Sequence, residues 1–316
     1  MTHPDFSFGN ALFHFRRTGG PKGFLWKYAL AFALAGFAIQ SFNTVMSWPI
    51  YEVYLRVFTE GDGDITQYTA DINRASMRSM MSSVLIFPLG ILFWMVFETA
   101  SLRRYMRGDG FRLRVGADEW RVLVVGLIWF GLLIAAYIGL FIVILVPMGL
   151  GAIGGRDSAA VGAVVGLVLM LVYMLACLWA GIRLSPAAAL TVRDGQIRFF
   201  EAWRVTRGRA GVLFGAWLVI GLAMMVVILI AYSIMAVVGF VQLGPLFPAL
   251  QDGSATSADI RAVVTSPGFW GPLGLIFLLL VGVQAIAQHI FGGPAALAAR
   301  TDPNWVGQPR VPDTFS

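Results

Sequence analysis

The chain has 316 residues, of which 58% are hydrophobic and only 13% charged, with a mean hydropathy of +0.76 and a formal net charge of +6. Soluble globular chains are about a quarter charged, so this composition excludes a water-soluble fold and points to a protein whose apolar surface is covered by lipid. The single cysteine, Cys177, lies in the apolar run 175–179; it excludes an internal disulfide and reads as a small apolar side chain.

Six runs are long and apolar enough to cross the hydrocarbon as helices: residues 24–48, 80–102, 122–148, 161–184, 212–243 and 268–291. The first has basic residues ahead of it and an Ala-rich stretch, but it is too long for the core of a signal peptide and is expected to stay as a span. Between the first two runs, residues 66–81 are expected to form a short amphipathic helix leading into the second span. Pro88 with Gly90 predicts a kink there. The fifth run is long enough to tilt. Residues 301–316, with three prolines, are expected to run irregularly along the membrane surface. The expected fold class is all-α: a single polytopic membrane domain over 1–316, with six transmembrane helices arranged as hairpins.

The basic residues set the orientation. Eighteen of the 23 Lys and Arg fall in 1–27, 103–121, 183–211 and 292–316, and five (Arg56, Arg74, Arg78, Arg156 and Arg261) fall in the intervening loops. That split predicts cytoplasmic N- and C-termini in a multi-pass inner-membrane protein. It also accounts for the positive charge without nucleic acid. Only Lys22 and Lys27 are lysines, and this Arg-heavy, Ala- and Gly-rich usage fits a bacterial chain.

Three segments repeat a pattern ahead of an odd-numbered span: FGNALFHFRR at 8–17, GADEWRV at 116–122 and FFEAWRVTRG at 199–208. The last two share an upstream Asp-Gly (Asp109-Gly110, Asp194-Gly195) and a following arginine, Arg112 or Arg198. Rings for the acyl edge and guanidiniums for phosphates are what a short interfacial helix needs. The chain is therefore expected to consist of three hairpins, each preceded by such a helix at the cytoplasmic boundary.

The text RLSPAAALTV at 183–192, then Asp194-Gly195, then FEAWRVTRG at 200–208 resembles a bacterial multi-span family labelled the membrane domain of glycerophosphoryl diester phosphodiesterases, together with related six-span families of unknown function. The motif covers roughly 26 residues. The resemblance implies a six-span fold and a membrane address. It does not imply the phosphodiesterase activity, which belongs to an attached catalytic barrel of about 250 residues for which this sequence has no room.

Twelve arginines cluster in two inner loops. Guanidinium forks suit phosphate head groups, so the expected contact set for lipid or a protein partner is Trp120, Arg121, Arg183, Arg198, Trp203, Arg204, Arg207 and Arg209. Within the spans, Glu98 is the only acid. It is expected to pair with Arg103, Arg104 or Arg183 and fix packing; a proton relay or a substrate contact is the alternative. Gln40 and Asn43 in the first span, and Gln284, Gln288 and His289 in the sixth, either bond across helix interfaces or line a polar path. The stretch EGDGD at 60–64 with Asp71 lacks the ligand spacing of a calcium loop and reads as a turn before a helix. No His/Cys cluster, phosphate-binding loop or nucleophile elbow occurs, so no metal, cofactor or enzymatic activity is expected. The leading expectation is a non-enzymatic membrane protein that binds lipid head groups or a protein partner through its Arg/aromatic face. The alternative is a transporter or channel for a small solute or lipid.

Overall fold

The computed structural model describes residues 5–60 and 65–305. The described chain is 85% helical, without strands. Its α-helices are α1 (Phe8–Leu12), α2 (Phe24–Glu60), α3 (Thr69–Arg107), α4 (Ala117–Ile153), α5 (Arg156–Leu184), α6 (Ala187–Asp194), α7 (Glu201–Val205), α8 (Ala210–Leu243), α9 (Phe247–Gln251), α10 (Ser257–Val264) and α11 (Pro267–Arg300). Six of them, α2, α3, α4, α5, α8 and α11, are long and apolar enough to cross a membrane. The chain is an all-α polytopic membrane protein.

The helices outrun the apolar runs. α2 continues to Glu60, α3 starts at Thr69 after a 3-10 turn at Ile65–Tyr68, and α11 continues to Arg300. Hydropathy marks only the part that sits in hydrocarbon, whereas the i→i−4 ladder continues wherever the ends find other packing. The amphipathic segment 66–81 is accordingly the start of α3 rather than a separate helix. Of the acidic turn, residues 61–64 lie outside the described residues, as does 306–316 of the C-terminal stretch.

The packing falls into two compact units: Lys22–Phe97 with Gly221–His289, and Met1–Pro21 with Glu98–Ile220 and Ile290–Ser316. In the first of these, α2 and α3 meet through a ladder of rings. Phe32 packs edge-on against Phe93 at 4.5 Å, Phe93 lies 4.7 Å from Phe97, and Tyr28 meets Phe97 at 5.6 Å. Each such pair contributes about 0.5–1.5 kcal/mol beyond its buried area. Gly36 lets α11 approach, since a Cβ there would sit 2.9 Å from Val281 Cγ1. Further along, Val53, Val57 and Ala75 form a small core, and the Ser47 and Ser79 hydroxyls are 3.2 Å apart.

The second unit contains the α4–α5 hairpin. A Cβ on Gly151 would lie 2.6 Å from Ser158 O, and one on Gly162 would lie 2.5 Å from Pro147 O. Only glycine permits this approach, as in other small-residue helix crossings in membranes. The Tyr173 hydroxyl donates across the same crossing to Ala136 O at 3.0 Å. Elsewhere on the hairpin, large side chains such as Leu133, Phe141, Leu145, Val168 and Leu175 are exposed, as lipid-facing residues are.

The core of this unit is built around α6 and α7. Ala187, Ala189, Leu190, Val192, Phe199, Ala202 and Val205 are buried with Val122, Val125, Leu213, Ala298 and Ala299. The Ala-rich stretch after Pro186 is a strong helix former, and Gly195, at φ +65°, ends α6 with its N–H bonded to Thr191 O at 3.0 Å. Of the three repeated segments, the first forms α1 and a 3-10 turn at His14–Arg17, and the third forms α7. The second differs: residues 117–122 are the opening turns of α4 itself.

Candidate functional site

The arginines of 103–121 and 183–209 converge in the second unit, and most of them bind protein groups. Arg103 is 3% exposed and pairs with Glu119, which is fully buried. Glu119 also accepts from Gly116 N at 2.9 Å, so one carboxylate caps α4 and neutralises α3's arginine. Arg107 holds Asp118 with both Nη atoms, at 2.6 and 3.2 Å, and donates to Val192 O at 2.6 Å. That carbonyl is near the end of α6, where the helix dipole favours a cation. Arg121 adds a third contact to Asp118 at 3.2 Å.

The end of α11 is held the same way. Arg209 donates to Thr301 O and Thr301 Oγ1, each at 3.0 Å, and Arg300 donates to Tyr105 O at 3.3 Å. Arg193 reaches Ala299 O, pairs with Asp194 and Asp302, and lies 5.0 Å over the Trp305 ring. The planar five-donor fork of arginine suits this bridging of carbonyls and carboxylates, which a lysine ammonium would do poorly.

The expected contact residues therefore separate into two groups. Arg198 bonds Glu201 at 2.9 Å and holds the Glu201 carboxyl below its usual range. With Arg121 and Arg209 it belongs to the internal network. Outward, Phe200 is 73% exposed, Trp203 38% and the Arg204 side chain 61%; Arg207 is also exposed. Arg204 comes only within 4.0 Å of Asp302. Beneath them Arg183 stacks on Trp203 at 4.6 Å and on Trp179 at 5.4 Å, and donates from Nη2 to Trp203 O at 2.5 Å. Its Nε is buried without a hydrogen-bond partner among the described residues. Trp120 is exposed on α4.

The intramembrane candidates are scattered by environment. Glu98 is half-buried. Of the arginines expected to pair with it, Arg103 is held by Glu119 and Arg183 by the α7 backbone and two indoles. Gln40 and Gln284 are exposed on their unit, Asn43 and Gln288 are half-buried, and His289 is buried against the rings of Phe24, at 5.3 Å, and Tyr28, at 6.0 Å. Among the described residues no three His, Cys, Asp or Glu side chains stand together as a metal cluster.

Sequence reasoning missed two features. His14 is 1% exposed, stacked on Tyr105 at 5.4 Å, and its Nε2 has no hydrogen-bond partner among the described residues. Burial, with Arg300 and Arg17 nearby, pushes its pKa down to about 4. The other is α10, which packs on α2 through Arg261 and Glu52, 2.7 Å apart. Its signal was present in the sequence: Thr256 and Asp259 form a capping box. Comparison of the chain with family models, with curated proteins and with solved structures finds no match.

Proposed function

We propose that this integral membrane protein works without catalysis, by holding the phosphates of anionic lipid head groups against α7 at the cytoplasmic face of a bacterial inner membrane. One observation carries the reading. Most of the arginines of the two inner loops are spent on helix ends and carboxylates, while Arg204 on α7 and Arg207 in the turn after it are exposed, as are Phe200 at the N-cap of α7 and Trp203 on it. Exposed rings beside exposed guanidiniums match the boundary between acyl chains and phosphates. The Arg183 guanidinium, oriented by two indoles, adds a fixed positive charge at the base of the patch. The eighteen-to-five split of basic residues supports the cytoplasmic side, and the likeness of 183–208 to a six-span membrane family supports the membrane address.

The test is lipid retention. Each arginine near an anionic surface is worth about 1 kcal/mol, so Arg204→Gln/Arg207→Gln should retain at least about tenfold less anionic lipid through purification than the wild type, with unchanged thermal stability. Equal retention overturns the reading. A protein lost from the variant's eluate while lipid stays constant would instead assign the patch to a protein partner.

A further inference from the structure

A second site lies in the other unit, in the loops that the basic-residue split assigns to the exterior. A cavity of about 420 Å³ opens on the flank of α2 and α11, lined by Trp48, Tyr51, Glu52, Arg261, Phe269 and Trp270. That volume is in the range of small-molecule sites. Its two charged groups are one acid and one base, Glu52 Oε1 and Arg261 Nη1, 2.7 Å apart. Their side chains are 33% and 60% exposed, and an ion pair this open contributes little to stability. Four rings and one open ion pair are thus grouped around a space larger than any side chain fills.

We infer that this cleft binds the head group of a zwitterionic phospholipid bearing a primary ammonium. The head group carries an ammonium and a phosphate a few ångströms apart, the complement of Glu52 and Arg261. On entry it replaces one weak pair with two charge-assisted ones, ammonium to carboxylate and phosphate to guanidinium, with no change in net charge. The indole and phenol faces favour the ammonium through their quadrupoles and give the glycerol and first acyl carbons an apolar wall. The lining decides for a lipid over a soluble zwitterion. It is mostly apolar, with Leu55 and Val264 beside the four rings; Tyr51 is 56% and Trp270 44% exposed, and the cleft lies on the side of two helices that cross the membrane, where such aromatics mark the head-group level. The site shares no residue with the patch on α7.

The full-length protein is reconstituted in nanodiscs of mixed phosphatidylethanolamine, phosphatidylcholine and phosphatidylglycerol, and bound lipid is counted by native mass spectrometry. Phosphatidylethanolamine should be enriched about tenfold over either of the others, the size of one charge-assisted hydrogen bond. Glu52→Gln and Arg261→Gln should each reduce that enrichment to near unity. Arg261 sits on the short, exposed α10, so its variant tests the site even where Glu52→Gln fails to fold. Enrichment that survives in folded Arg261→Gln protein overturns the site. Displacement by soluble glycerophosphoethanolamine at concentrations equal to the lipid overturns the lipid assignment.

Discussion

Arg103 and Glu119 form a buried ion pair that ties the last turns of α3 to the first turn of α4. Removing one partner leaves a charge with no water to solvate it, at a cost of about 3–5 kcal/mol. Arg103→Met should therefore lower thermal stability in detergent sharply, and so should Glu119→Gln, which also weakens the α4 cap. The double variant Arg103→Met/Glu119→Leu should recover part of the loss. Single variants that melt with the wild type would show that the pair does not hold this junction.

Gly162 is a second test of packing. A side chain there meets Pro147 O at 2.5 Å and Gly151 Cα at 3.0 Å, and both are backbone atoms that cannot rotate aside. Gly162→Val should push α4 and α5 apart and cost about 1–3 kcal/mol by overpacking. Gly211→Val, at a position with nothing within 4 Å of a new Cβ, is the control and should melt close to the wild type.

His14 makes stability depend on pH in a defined window. Its folded pKa of about 4 lies below the ordinary imidazole value of 6.5, so the neutral ring is the form the fold accepts. Between those values the unfolded chain takes up a proton that the folded protein refuses. Stability should fall as pH drops from 6.5 towards 4, by on the order of 3 kcal/mol from this group, with no contribution above 6.5. Carboxylates also titrate there, so the quantity to measure is the difference between wild type and His14→Gln in unfolding scans at pH 7 and pH 4.5. A difference that stays constant with pH would remove the claim.

Orientation can be read chemically because Cys177 is the only cysteine. In a Cys177→Ala background, Ser254→Cys should react with a membrane-impermeant maleimide on intact cells. Arg112→Cys should react only after permeabilisation. The opposite pattern would invert the topology.

Much of the fold was legible in the sequence, for a physical reason. A run of about 20 apolar residues has few places to go except across a bilayer, so the six long helices appear where hydropathy puts them. What stayed hidden depends on partners far apart in sequence. Nothing near Arg209 shows that it will bond the carbonyl of Thr301, and nothing near Arg107 shows that it will bond that of Val192. A guanidinium that caps a helix and one that meets a phosphate look the same in sequence, because both want oxygen. The structure separates Arg198 and Arg209 from Arg204 and Arg207 by what each touches. Nothing near His14 marks it as buried, because its burial comes from Tyr105 and α11, some 90 and more positions away.

The contacts at the end of α11 also bear on how the protein is made. The unit that holds them joins residues 1–21, 98–220 and 290–316, so the piece that closes it is made after both of the others. Until then Arg193 and Arg209 have neither the carbonyls of Ala298, Ala299 and Thr301 nor the carboxylate of Asp302. A nascent chain stalled before α11 would hold five spans in the bilayer with a half-built, strongly cationic surface. Synthesis of the end of α11 is thus the step that supplies these guanidiniums with their oxygen partners, and a chain held before it would leave them to water.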